Sequence, residues 1–228
     1  QQIWYYNTIQ EADFMFVHNQ SDKKYYEGLT DKKCKILPSL MIEDSIKNLP
    51  QVERNKALKK AIEHFNEAIR IRPEHADAYN NLGNAYRRAE NFDKSIQIYN
   101  ALLAQKPDYW KAYYNRGVTL FSAGRYAEAR KDLRLYAERS LENSGAAWYW
   151  AGVCSGHLAD FSGAINDLGQ SLVINPNRWD AYNYMGMAYG NINQWGNAVQ
   201  SFEKAYQLNP STEVQRNLEM AREAMNAN

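Results

Sequence analysis

The stretch ADAYNNLGNAYRRAENFDKSIQIYNALLAQKPDY, from Ala76 to Tyr109, decides the fold because its pattern recurs along this 228-residue chain. Its last recurrence, WDAYNYMGMAYGNINQWGNAVQSFEKAYQLNPST, runs from Trp179 to Thr212. Glycines mark the period at intervals of 34, 35 and 34 residues: Gly83, Gly117, Gly152 and Gly186. Prolines keep the same phase at Pro73, Pro107, Pro176 and Pro210, with Leu141 in the place of a missing one. A period of about 34 residues is typical of stacked helical repeats.

Within each copy, apolar residues at helical spacing predict two amphipathic helices joined by a turn, and the order of residue types resembles the tetratricopeptide repeat family. The first copy carries the family's pattern at Tyr79, Leu82, Gly83, Tyr86, Ser95, Tyr99, Leu102 and Pro107. The second copy departs at Arg116, where Leu is expected, and the third at Ala151 and Ser155. The resemblance implies an all-α, right-handed solenoid of helix-turn-helix repeats. The recurring glycine would cost an isolated helix about 1 kcal/mol relative to Ala, so it predicts a close contact between helices.

The phase of the repeat divides the chain into a divergent N-terminal segment, residues 1–50, and a tetratricopeptide domain, residues 51–228. Within the domain we expect a half repeat at 55–75, full repeats at 76–109, 110–144, 145–178 and 179–212, and a capping helix at 212–226. The half repeat lacks a first helix because Pro50 falls where that helix would have to be continuous. One extra residue around Ser144 predicts a longer second helix or an altered loop between the second and third repeats.

The N-terminal segment does not follow the repeat, and two interpretations of it stay open. ADFMFVHNQSDKKYYEGL, residues 12–29, followed by KILPSL resembles a stretch of GT-B glycosyltransferases, and this resemblance covers about residues 10–45. It contains no nucleotide-sugar-binding motif, so no catalytic role is carried over. The alternative is a pair of helices, Ile3–Val17 and Ser21–Leu29, packed on the first repeat, because two isolated strands are only marginally stable in water.

Composition and motifs narrow the function. The chain has 27 basic and 26 acidic side chains and no basic run longer than a pair, so we expect no nucleic-acid partner. No apolar stretch approaches the roughly 18 residues of a membrane span, so we expect no membrane insertion. The sequence contains no GxSxG, P-loop or GxGxxG motif, and its four histidines lack metal-ligand spacing. We therefore expect a protein that is not an enzyme and uses neither cofactor nor metal.

The sequence leaves alternatives open for the compartment and for the oligomeric state. A cytoplasmic protein is the simplest expectation, and a soluble extracytoplasmic one follows if a targeting segment was removed before Gln1. Self-association of the chain stays open.

In tetratricopeptide repeats the second, fifth, sixth, ninth, twelfth and thirteenth places of the first helix face a concave groove, so the resemblance implies a peptide-binding surface. From these places we expect the following residues to bind a peptide: Asn80, Asn81, Asn84, Arg87, Arg88, Lys111, Tyr114, Asn115, Val118, Tyr149, Trp150, Asn183, Tyr184 and Met187. Asparagine offers a donor and an acceptor to a peptide backbone, while aromatic and methionine side chains supply apolar anchors.

The aromatic members predict an anchor pocket toward the C-terminal half of the groove, made by Tyr114, Tyr149, Trp150, Tyr184 and Met187. Here Trp148 is expected in the core and Trp150 in the groove, because they occupy the fourth and sixth places of their repeat.

Asn84 and Asn115 match the two asparagine places of the carboxylate clamp found in chaperone-binding tetratricopeptide domains. Asn80, Ala146 and Trp150 stand where that clamp needs basic residues, so a carboxylate tail is not the expected ligand. We expect Asn84 and Asn115 to face one groove and to serve binding rather than stability.

The sequence thus predicts a non-catalytic protein-protein interaction scaffold that binds an extended peptide or a partner helix. The alternative is an accessory, substrate-presenting or regulatory arm of a larger enzyme such as a glycosyltransferase.

Overall fold

The structure is a computed structural model that describes residues 51–140 and 144–227. Most residues in these ranges are helical, the helices are joined by short turns, and no strand occurs in them. In chain order the helices are α1 (Gln51–Ile71), α2 (Ala76–Arg88), α3 (Phe92–Gln105), α4 (Trp110–Ser122), α5 (Tyr126–Arg139), α6 (Ser144–His157), α7 (Phe161–Ile174), α8 (Trp179–Asn191), α9 (Trp195–Leu208) and α10 (Thr212–Ala227). The predicted all-α repeat architecture is confirmed.

The described helices fall into two compact units, which divide between Lys106 and Pro107. In the first unit, α1 packs on α2 and α2 packs on α3. Phe65, Leu82 and Ala85 form a buried cluster at the contact between α1 and α2. The described part of α1 starts at Gln51, four residues before the predicted start of the half repeat.

In the second unit, each helix from α4 to α10 packs on the next one along the chain. The first helices of successive repeats, α4, α6 and α8, also contact one another. Helix α10 closes this unit by packing on α9, and it buries Val214, Leu218 and Ala221. Its opposite face carries the exposed Arg216 and Glu219, so it caps the stack with a polar surface, as a terminal helix must.

The recurring glycines are contact points between the two helices of one repeat. A Cβ atom on Gly83 would lie 2.6 Å from the Tyr99 ring, and one on Gly152 would lie 2.6 Å from Cγ of Leu168. The same clash recurs in the other two repeats, always with the residue sixteen positions later. The predicted close approach is confirmed, since these distances are too short for a side chain without movement of its neighbour.

The turn between the helices of each repeat uses one residue in the left-handed region. These residues are Glu90, Gly124, Ala159 and Asn193, with φ of 57°, 74°, 57° and 59°. Each occupies the fifteenth place of its repeat. Glycine and asparagine adopt this conformation readily, whereas other residues need about 1–2 kcal/mol, so Glu90 and Ala159 hold it through the packing of their helices.

Arg116, which departs from the family pattern, is explained by a partner in the same repeat. Its guanidinium donates two hydrogen bonds to the buried Asp132 carboxylate, at 2.6 Å from Nε and 2.8 Å from Nη2. The tyrosine ring of Tyr113 lies 5.4 Å from the guanidinium carbon. The leucine of the family is thus replaced by an ion pair that spans α4 and α5.

A second polar cluster explains Ser155, one of the two departures in the third repeat. The Asp167 carboxylate is buried on α7, and Arg134 of α5 donates to it at 2.8–3.0 Å. The Ser155 hydroxyl of α6 donates to the same carboxylate at 3.1 Å. Arg130 completes the cluster by donating to Ser155 at 3.4 Å and to Asp160 at 2.7 Å. A tyrosine at residue 155 would occupy the space in which these groups meet.

The extra residue around Ser144 does not lengthen the second helix, because α5 has 14 residues like α3, α7 and α9. The alternative that was predicted, an altered loop between the second and third repeats, is not tested by the structure. The connecting residues 141–143 and the N-terminal segment, with its glycosyltransferase resemblance, lie outside the described residues.

Candidate functional site

The candidate site is the face of the second unit on which α4, α6 and α8 carry the predicted groove residues; we call it the groove face. Its most open part lies between α6 and α8, where Tyr184 and Met187 leave 36% and 44% of their surface in contact with solvent. Exposed apolar side chains that lie next to each other are candidates for contact with a partner. Both residues belong to the predicted anchor set, and their role as anchors stays a prediction.

A cavity of about 190 Å³ opens at this point. Its inner wall consists of the buried Val153, Ala164 and Leu168, and its mouth is bordered by Gly156, Tyr184 and Met187. His157 and Asn191 also lie at its edge. The amide of Asn191 donates to the Met187 carbonyl at 2.8 Å, which fixes its position one turn farther along α8. The cavity is therefore an apolar hollow with a polar margin.

Aromatic rings line the groove face on the N-terminal side of the cavity. The rings of Phe121 and Trp150 are 4.9 Å apart, those of Trp150 and Tyr149 are 5.2 Å apart, and those of Tyr149 and Tyr184 are 5.9 Å apart. These separations lie in the range of favourable ring pairs. Phe121 of α4, two neighbours on α6 and Tyr184 of α8 thus form one continuous aromatic row across three first helices.

Tyr149 is not an open anchor, which corrects the expectation from its sequence position. Only 6% of its surface is exposed, and the Arg178 guanidinium carbon lies 3.7 Å from the centre of its ring. Burial raises the pKa of the Tyr149 hydroxyl, and the nearby Asp180 carboxylate raises it further. The ring therefore supports the groove face from below, with its hydroxyl neutral.

Three of the predicted groove asparagines are buried or form hydrogen bonds within the protein, which their positions in the sequence did not indicate. Asn80 and Asn183 are buried, and the Asn183 side-chain oxygen accepts a hydrogen bond from Asn217 of α10 at 3.0 Å. Asn84 accepts a hydrogen bond from the Tyr99 hydroxyl at 3.0 Å. The expectation that Asn80 and Asn183 present open surface is wrong, and Asn84 has a structural role that its sequence position did not reveal.

The expected contrast between Trp148 and Trp150 is also corrected, because both side chains are half-buried. Trp150 packs against the core cluster that contains Tyr149 and Leu168. Trp150, at the sixth place of this repeat, therefore contacts the core as well as the groove face, and the ring of Phe121 packs against it.

The other predicted groove residues are half-buried. They are Asn81, Arg87 and Arg88 on α2, and Lys111, Tyr114, Asn115 and Val118 on α4. The ring of Tyr114 lies 5.2 Å from that of Tyr136, which gives this anchor an internal contact. Asn84 belongs to the first unit and Asn115 to the second, so their common groove stays a prediction, as does peptide binding by every residue named.

Sequence reasoning missed two features of the site. Gly156 occupies the twelfth place, where the preceding copies have Arg87 and Phe121, and a Cβ atom there would meet no other atom within 4 Å. The exposed His157 ring stacks on Tyr126 at 4.2 Å with an angle of 7° between the rings. Glycine also stands at the twelfth place of the last repeat, as Gly190, where the Trp195 ring lies 3.1 Å from an added Cβ atom, so the sequence alone does not distinguish the open place from the filled one.

The cavity is lined by residues of α6, α7 and α8, and Asp167, the one charged residue of α7, is held by Arg134. Helix α6 carries no charged residue except the titratable His157, and α8 carries Asp180 alone. Arg178 donates to Asp180 at 3.0 and 3.2 Å, which neutralises that charge at the start of α8. The wall of the cavity presents no ionic partner to a ligand.

Family comparison agrees with this geometry. Residues 80–140 match one tetratricopeptide repeat model, residues 55–89 match a second, and residues 180–212 match a third. The helices in these matched ranges are tetratricopeptide repeats. The third full repeat, with Ala151 and Ser155, lies between the matched ranges, although its two helices pack like those of its neighbours.

Solved tetratricopeptide structures share this fold. The MamA protein is 22% identical with a TM-score of 0.64, and the match covers 68% of this chain and 84% of that one. YrrB, described as a TPR protein with an unusual peptide-binding site, is 22% identical with a TM-score of 0.64, over 72% of this chain and 85% of that one. MamA from Desulfovibrio magneticus RS-1 is 16% identical with a TM-score of 0.64, over 70% and 89%. These identities establish similarity of fold.

None of the described helices combines the length and the apolar character that crossing a membrane requires.

Proposed function

We propose that the chain is a non-catalytic interaction scaffold that binds a peptide or a partner helix on its groove face. The observation that carries the proposal is the cavity between α6 and α8, with the exposed Tyr184 and Met187 at its mouth. Tyrosine and methionine are typical of binding surfaces, because they bury a large area with few rotatable bonds or adapt to irregular partners.

The tetratricopeptide fold supports the proposal because stacked repeats present side chains of successive first helices on one continuous surface. YrrB, whose description names a peptide-binding site, has this fold. On α4, α6 and α8 the aromatic row and the cavity lie side by side, so a bound segment contacts both. No other function is favoured by a described feature of the chain.

The experiment is a screen of a random peptide-display library against the full chain, followed by fluorescence polarisation with the selected peptides. We expect peptides that compete with one another for one site. Their affinity falls in the variants Tyr184→Ala and Met187→Ala. Truncation of an interface anchor commonly costs 1–2 kcal/mol or more, which is about 5- to 30-fold in affinity.

Met220→Ala is the matched control, because Met220 is also an exposed methionine, with 61% of its surface accessible, but lies on α10. We expect this variant to bind like the original chain. Selected peptides that bind Met187→Ala and Tyr184→Ala with unchanged affinity would contradict the placement of the binding surface. A library that yields no saturable binder would contradict the proposed function itself.

A further inference from the structure

The cavity has a volume suited to one side chain. An apolar cavity of about 150 Å³ can hold a benzene molecule, so 190 Å³ accommodates one leucine, methionine or phenylalanine side chain. The hollow exists because Gly156 has no side chain, and the space beyond its Cα is empty to at least 4 Å from an added Cβ atom. At the same place in the preceding repeat, Phe121 fills the surface with a ring.

The uncharged lining of the cavity determines which kind of partner side chain can bind in it. Its inner wall is made by Val153, Ala164 and Leu168, which offer no hydrogen-bond partner. An ionised lysine or aspartate side chain that entered the cavity would lose its hydration and gain no hydrogen bond or counter-ion in return. The nearest acid on α8, Asp180, is already held by Arg178. An uncharged apolar side chain is the occupant that fits both the volume and the chemistry.

We propose that this cavity is a socket for a single bulky, uncharged apolar side chain of the bound partner segment, and that Gly156 creates it. This inference rests on the proposed function and makes it specific. Tyr184 and Met187 close over the inserted side chain, which removes their exposed surface from water. The margin formed by His157 and Asn191 faces the backbone of the segment on either side of the anchor.

The experiment uses the full chain and needs no identified partner. The chain is labelled with ¹³C at its methionine methyl groups, and the spectrum is titrated with N-acetyl-L-phenylalanine amide and N-acetyl-L-leucine amide. The ammonium-bearing N-acetyl-L-lysine amide is the charged comparison. We expect saturable shifts of the Met187 methyl with the two apolar probes, with dissociation constants on the order of 1 mM for ligands of this size. The Met220 methyl serves as the internal control and stays in place.

The variant Gly156→Leu tests the origin of the socket, because its new side chain enters the empty space and occupies it. We expect the affinity for the phenylalanine probe to fall about 10- to 100-fold, the value of one buried apolar side chain. Gly169→Leu is the matched control, since a Cβ atom at Gly169 also meets nothing within 4 Å and this residue lies on α7 away from the cavity lining. This control should bind the probe like the original chain.

The titration of the original chain decides the inference even where Gly156→Leu fails to fold, and Gly156→Ala provides a smaller second variant. Absence of a Met187 shift at saturating probe, or equal shifts with the lysine amide, would overturn the socket. An unchanged affinity in folded Gly156→Leu would do the same. If library peptides bind the groove face while the probes do not shift Met187, the socket fails and the scaffold function stands. If the probes bind but no peptide does, the scaffold function fails.

Discussion

The polar cluster around Asp167 makes a quantitative prediction about stability. The Asp167 side chain is fully buried, whereas that of Arg134 is 34% exposed. Arg134 supplies the charged donors to this carboxylate, and Ser155 supplies a neutral one. Removal of the more exposed partner should therefore be the more damaging change, because it leaves a buried charge without its counter-ion.

The magnitudes follow from what each variant leaves behind. Arg134→Met leaves the Asp167 carboxylate with Ser155 and the more distant Arg130. Breaking a buried pair from this side costs about 3–5 kcal/mol, and we expect the lower end because Arg134 is partly solvated and Arg130 remains. Asp167→Asn leaves a guanidinium that reaches water and an amide oxygen that still accepts, so we expect a cost of about 1 kcal/mol.

The same variants differ in their response to pH. Burial raises the pKa of Asp167 above its ordinary value of 3.8, although Arg134 opposes the shift. A carboxyl whose pKa is raised by folding favours the folded state at pH values below its unfolded pKa, and this contribution is lost as the pH rises through the folded pKa. Without Arg134 the folded pKa rises further. The destabilisation by Arg134→Met should thus be small near pH 4 and grow toward neutral pH.

The assay is urea unfolding followed by circular dichroism at pH 4.5 and pH 7.5, with the original chain measured under both conditions. The difference between each variant and the original chain cancels the titration of the other groups. The reasoning is refuted if Asp167→Asn costs more than Arg134→Met at pH 7.5. It is also refuted if the penalty of Arg134→Met is the same at both pH values.

Two further substitutions test the fold with the same measurement. Gly124→Ala should destabilise the chain by about 1 kcal/mol, because Gly124 has a φ of 74° in the left-handed region. Gly169→Ala, in the middle of α7, is the control and should leave stability unchanged or raise it by up to about 1 kcal/mol. Similar effects of both variants would contradict the assigned turn. Arg116→Leu restores the residue type of the family but should destabilise by about 3 kcal/mol because it strands the buried Asp132, and a stabilised variant would refute the pairing.

Much of the fold was predictable because it depends on local period. Two amphipathic helices and a turn in every 34 residues fix which helices are neighbours, and the recurring glycine marks where they touch. The contact of Gly83 with Tyr99 illustrates this, since both residues lie in one repeat at a constant separation. The left-handed turn residues were harder to recognise, because Glu90 and Ala159 lack the usual glycine or asparagine signal.

The details of the site depended on contacts that the period does not encode. Asn183 is covered by Asn217 of the capping helix, 34 residues later, and the repeat pattern does not show that these two side chains form a hydrogen bond. Tyr149 became a supporting ring because Arg178 lies over it. The place of a residue in the repeat therefore predicted the face to which it belongs, while contacts with side chains outside its own helix decided its exposure.

Helix α6 carries Ser155 of the polar cluster and Gly156 of the cavity at adjacent positions. Consecutive helical residues are about 100° apart around the axis, so Ser155 turns toward Asp167 and Gly156 turns toward the cavity. Ser155→Ala removes a donor from a buried carboxylate and should cost about 1–3 kcal/mol of stability, with no change in binding of the phenylalanine probe at temperatures where the variant is folded. Gly156→Leu should have the opposite phenotype, unchanged or increased stability with weakened binding. Denaturant unfolding and probe titration on both variants separate the two roles. If each variant changed both stability and probe binding, the polar cluster and the socket would be one structural unit, and the separate roles assigned to Ser155 and Gly156 would be wrong.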